Sequence, residues 1–146
     1  MDIQSELNTV TEEIVAARLE HMAAEEQRLT RKRAVEIIES RLTIERLRHM
    51  ASPEAGGNDT QRRAYAEEQT GRDRLILSDA QDKLVNSEIY VIQTAATLRI
   101  AEDRRRYHET VLRLTVNSAV ESLRLAYADD GRGEAHYDED GNRLTF

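Results

Sequence analysis

Residues 2–50 contain neither proline nor glycine. A stretch of that length without a chain breaker, rich in the strong helix formers Ala, Glu, Arg and Leu, predicts one long helix. Its apolar residues are too sparse for a helix buried on all sides. Ile3, Leu7, Val10 and Ile14 recur at heptad spacing, the phase then moves to Met22 and Leu29, and the pattern resumes with Val35, Ile38 and Leu42, flanked by Ile44 and Leu47. Such shifts predict a coiled-coil seam with imperfect phase.

The helix is expected to stop near Met50, because Ser52 precedes Pro53 and a residue before proline is pushed out of the helical region. Gly56-Gly57-Asn58-Asp59 predicts a flexible turn, with Asn58 or Asp59 capping the next helix. That second helix is predicted from Thr60 to Tyr127. Its seam is read as Leu77, Ala80, Leu84, Val91, Ala95, Leu98 and Ala101, then Leu112, Val116, Ala119 and Leu123. Gly71 is its weak point, where the helix either runs on, straight or kinked, or breaks.

The composition agrees with an all-α chain: 39% hydrophobic and 34% charged, with one proline, one phenylalanine and no tryptophan. A narrow apolar seam serving many solvated residues suits these proportions better than a thick globular core. The expected architecture is a long antiparallel helical hairpin, coiled-coil-like, over residues 1–127, followed by an acidic tail at 128–146. In that tail Asp140-Gly141-Asn142 could turn a small β-hairpin, but disorder is the expectation because an isolated hairpin is marginal in water. With no cysteine there is no disulfide and no thiolate metal site, which makes a reducing compartment the default. No apolar run approaches the roughly 20 residues needed to span a bilayer. The acidic start Met1-Asp2-Ile3 lacks a signal-peptide pattern, so the expected location is the cytoplasm.

The net charge is −7. From Tyr127 onward six acids face two arginines, a balance of −4, leaving −3 on residues 1–126. A near-balanced, densely charged body points to ion pairs between helices more than to a duplex-DNA surface. If the connection lies near residue 55, facing residues have numbers summing to about 110. Arg28 and Arg31 then oppose Asp82 and Asp79, Glu36 and Glu39 oppose Arg74 and Arg72, Glu12 and Glu13 oppose Arg99, and Glu6 opposes Arg104 and Arg105. In this register the first helix runs out opposite His108, while the second continues to Tyr127. The surplus, residues 108–127, is therefore expected to be an oligomerisation segment with Val111, Leu112, Val116, Ala119 and Leu123 on its interface.

No phosphate loop, zincin helix, nucleophile elbow or zinc pattern is present, so no catalytic residue, cofactor or metal is expected. His21 with Glu25 and Glu45 with His49 have the spacing of half a metal site, but surface ion pairs are the expected role. The run Asp138-Glu139-Asp140-Gly141 lacks the first acid of a calcium loop, since His136 stands there. Arg104-Arg105-Arg106-Tyr107 has the chemistry to hold a single strand, with guanidiniums on phosphates and the ring under a base.

The long helix, the loop, the segment Asn58-Asp-Thr-Gln-Arg-Arg-Ala-Tyr65-Ala-Glu-Glu and the second long helix resemble small helical-hairpin proteins of bacteriophage recombination and replication modules. In outline, over roughly residues 35–126, they resemble the UvsY family of recombination mediators. That resemblance implies an oligomeric accessory protein of phage DNA recombination, binding single-stranded DNA or its binding proteins without catalysis. A coiled-coil scaffold, adaptor or inhibitor docking on a protein partner is the other expectation from the residues.

Overall fold

The structure is a computed structural model and describes residues 2–130. Within that range the chain is helical: α1 (Ile3–Met50), a 3-10 turn (Pro53–Ala55), α2 (Asp59–Gln69) and α3 (Gly71–Asp130). The expected all-α fold is present. Ala128 to Asp130, expected in the tail, extend α3 instead. The remaining tail, with its expected β-turn and the run at Asp138–Gly141, lies outside the described residues. Two compact units are formed, one by Thr11–Glu102 and one by Met1–Val10 with the segment from Asp103 onward.

In the Thr11–Glu102 unit, α1 and α3 run antiparallel. His21 meets Thr94 at 3.0 Å, Arg31 donates to the Lys83 carbonyl at 2.6 Å, and Arg46 pairs with Glu67 at 3.0 Å. These partners sum to about 114, not the 110 expected for a minimal loop. The longer connection shifts the register and redistributes the charges. Arg28 pairs with Glu25 on its own helix, Asp79 with Lys83, and Glu39 accepts from Gln81. Arg74 donates to the Glu67 carbonyl.

That connection is not the loose turn the glycines suggested. Ser52 is extended and accepts from the Glu54 amide, with Pro53 opening the 3-10 turn. Gly56 has φ +93°, and a Cβ there would lie 2.6 Å from Gln61 Oε1. Asn58 caps α2 by accepting from the Gln61 amide at 2.9 Å, while the Gln61 side chain accepts from the Gly57 amide. This reciprocal arrangement satisfies amide donors a helix start would otherwise leave unpaired. Tyr65 donates to Glu54 at 2.9 Å and stands edge-on to His49.

The interruption near Gly71 falls one residue earlier. Thr70 caps α2, its amide bonding to the Ala66 and Glu68 carbonyls, and its buried hydroxyl donates to the Ala66 carbonyl at 2.7 Å. The Arg74 amide already bonds to the Thr70 carbonyl, so α3 starts at once.

The seam departs from the expected pattern. In the Thr11–Glu102 unit, the least exposed positions of α1 alternate three and four apart from Ile14 to His49 with no change of phase, and those of α2 and α3 do so from Ala66 to Ala101. Met22, Leu29, Ile44 and Leu47 are exposed. The places expected for Met22 and Leu29 are taken by Ala17, His21, Ala24 and Arg28, and Ile44 and Leu47 flank the seam as expected. On α3 Ser87 joins the seam, and Thr94 stands in it where Ala95, which is exposed, was expected. Ser87 and Thr94 donate to the Leu84 and Val91 carbonyls of their own helix. With the Thr94 proton so committed, its oxygen accepts from Nδ1–H of His21. No buried side-chain N or O lacks a partner among the described residues.

Small and polar seam residues let the helices approach closely but bury little apolar surface. Among the described residues the buried hydrophobic side chains are Val10, Ile14, Val35 and five alanines. Twenty-one large apolar or aromatic side chains are exposed among the described residues. The chain thus carries more bulky apolar side chains on its surface than it buries, an arrangement that calls for a covering partner.

Candidate interaction surfaces

In the unit formed by the two ends of the described chain, Asp2 caps α1 by accepting from the Gln4 amide at 3.2 Å. Glu6 meets His108 of α3 at 3.2 Å, with their side chains 31% and 18% exposed. Glu6, Thr9, Arg104 and His108 line an open pocket of about 360 Å³. Past His108, α3 continues to Asp130, about 33 Å at 1.5 Å per residue.

Every residue from Arg113 to Ala128 is exposed. On this projecting segment Val116, Val120, Leu123 and Tyr127 recur four, three and four apart, the spacing of one helical face. They are 51%, 45%, 58% and 75% exposed. Of the five expected interface residues, Val116, Ala119 and Leu123 are exposed, and Ala119 flanks this stripe. Val111 and Leu112 are half-buried. Val120 and Tyr127 belong to the same stripe, and the spacing already present from Val116 to Leu123 could have found them.

The Arg104-Arg105-Arg106-Tyr107 run lies on α3, where successive side chains turn by about 100°. Arg104 and Tyr107, three apart, share one side of the helix, while Arg105 and Arg106 point elsewhere, so the arginines form no single basic face. Arg105 pairs with Glu109 at 2.8 Å and Arg106 with Asp103 at 3.6 Å. Tyr107 is 66% exposed and stands edge-on to His108.

The two half metal sites are dispersed into other contacts. His21 bonds to Thr94, Glu25 to Arg28, Glu45 to Arg48, and His49 stands edge-on to Tyr65. The described residues hold no group of three His, Cys, Asp or Glu side chains placed to ligate a metal.

Two more apolar faces lie in the Thr11–Glu102 unit, both turned away from the seam. On α1, Val15, Leu19, Met22 and Leu29 form one, with Thr11, Glu12, Val15, Ala16 and Leu19 lining a depression of about 330 Å³. On α3, Val85, Ile89 and Ile92 form the other, at 51%, 48% and 68% exposure.

No family model, curated protein or solved structure matches this chain. No described helix is long and apolar enough to cross a membrane.

Proposed function

We propose that the protein is a cytoplasmic, non-enzymatic helical scaffold that self-associates through the projecting end of α3 and works through protein contacts. The observation that carries this reading is the exposed stripe Val116, Val120, Leu123 and Tyr127 on a helix segment exposed from Arg113 to Ala128. A helix exposed on every side gains little from its own tertiary structure, and its stability comes from docking an apolar face. Ala119 and Ala126 flank the stripe and leave room for a second helix to approach. A second copy of the same segment supplies a matching stripe.

The second reading is the one the phage resemblance suggested, an accessory protein of DNA recombination or replication that binds single strands weakly. It draws on the exposure of Arg106 and Tyr107, 77% for the arginine side chain and 66% for the tyrosine. Arg105 and Arg106 hold Glu109 and Asp103, and the arginines form no single basic face, so the scaffold reading is preferred.

One experiment separates the two. The wild type and Leu123→Asp are sedimented with and without a labelled single-stranded oligonucleotide at low salt. The scaffold reading expects the substitution to lower the mass of the assembly and the oligonucleotide to stay free. Oligonucleotide carried with the protein, and released as salt rises, would establish strand binding. A wild type that sediments as a monomer overturns self-association.

A further inference from the structure

Along the outer face of α3 the sequence reads symmetrically about a point between Tyr90 and Val91. Ile89 and Ile92 flank that point, Val85 and Ala96 come next, and Asp82 and Arg99 close the two ends. All six are exposed. They recur three and four apart, centred about 150° around the helix from the seam at about 100° per residue. The face therefore points away from α1 in the same unit. Asp82 and Arg99 carry opposite charges and neither has an ion-pair partner among the described residues, whereas neighbouring Asp79 and Lys83 are paired with each other.

We propose that this face is a two-fold docking surface for a second copy of the chain, distinct from the projecting end of α3. Two copies of α3 packed antiparallel about the central point place Ile89 against Ile92 and Val85 against Ala96. Each Asp82 then meets the partner's Arg99, twice per pair. A surface whose pattern is its own complement under a two-fold rotation meets the requirement of the commonest oligomer symmetry. The charge placement is what identifies the occupant. Shifting one helix by a single turn leaves both end charges without partners, so the pattern encodes one register and one orientation. The outer face of α1 lacks this property, since self-pairing about Met22 and Ala23 sets Leu19 against Glu26.

The same logic excludes an intramolecular role for the charges. Asp82 and Arg99 are separated by 17 residues of one helix, about 25 Å. They do not reach each other within one copy, so any coupling between them is between copies.

The test uses the full chain carrying Leu123→Asp, which disables the projecting end and leaves this face as the remaining contact. That protein is expected to sediment as a dimer. Adding Asp82→Arg or Arg99→Asp turns both end contacts into like-charge pairs and is expected to weaken the dimer by about tenfold or more. An equimolar mixture of the two reversed proteins restores opposite charges at both ends of a mixed pair, and is expected to recover the dimer. Circular dichroism of each variant checks that helicity is retained. A monomeric Leu123→Asp protein, reversals that leave the dimer intact, or a mixture that stays dissociated overturns the proposal. Failure of the projecting-end reading shows separately, as a Leu123→Asp protein whose mass equals the wild type's.

Discussion

Truncating Leu123 to alanine isolates the contact made by the projecting end of α3. The leucine is 58% exposed in the single chain, so rather more than half of its burial is still to be gained on association. Full burial of a leucine is worth about 2.5 kcal/mol, which leaves roughly 1.5 for docking. Alanine retains about a third of that, so each copy loses about 1 kcal/mol and a symmetric pair about 2. At 1.4 kcal/mol per factor of ten, Kd rises about 30-fold. Alanine is the better helix former, so the helix itself is not weakened. Leu114 is the control: it is 63% exposed but sits about 150° around the helix from the stripe. Sedimentation equilibrium of the wild type, Leu123→Ala and Leu114→Ala measures the three constants. Equal effects at the two positions, or no effect at Leu123, would refute the assignment of the stripe as the interface.

The remaining predictions concern the fold. Gly71→Ala is expected to raise stability by about 0.5–1 kcal/mol, because an added Cβ meets nothing within 4 Å. Gly56→Ala is expected to cost about 1–3 kcal/mol, since φ is +93° and the new Cβ would crowd Gln61. Urea unfolding of both variants checks the pair of signs. Tyr65 and Tyr90 donate to Glu54 and Glu20, and those bonds to carboxylates hold both phenols above the usual 10.0. The folded value is the raised one, so the stabilisation is complete below the unfolded value and is lost as pH climbs through the folded one. Absorbance titration should show two late-ionising tyrosines, and Tyr65→Phe should remove one. Simultaneous titration of all the tyrosines would count against both bonds.

The helices were legible because their determinants are local. The absence of Gly and Pro up to Met50, the Ser52-Pro53 stop and the Asn58 cap each act within a turn of where they stand. The seam was harder to read because bulky apolar residues occur on more than one face. Met22 and Leu29 look like core residues by size, yet Ala17, His21, Ala24 and Arg28 face α3. Small residues permit close approach, and Arg31 reaches a backbone carbonyl across the seam. Neither property is visible in a hydrophobic period. The register slipped because the 3-10 turn lengthens the connection, which sent Arg28, Asp79 and Glu39 to partners other than those expected. Gly71 drew attention as a breaker, but the break belongs to Thr70, whose hydroxyl competes for the Ala66 carbonyl. Of the segment expected at 108–127, the part from Arg113 to Tyr127 is exposed throughout. Val111 and Leu112 are half-buried within their own unit, because the register lies about one helical turn from the one expected.

Bulky apolar side chains of the described residues lie mostly on the surface, while the seam is filled largely by small and polar residues, and this imbalance is what self-association would relieve. Its most direct test is the mass of the purified wild-type chain by light scattering behind a sizing column, across concentrations from micromolar to millimolar. Self-association predicts a mass above 16.7 kDa that falls toward that value on dilution. A mass fixed at 16.7 kDa throughout would contradict it.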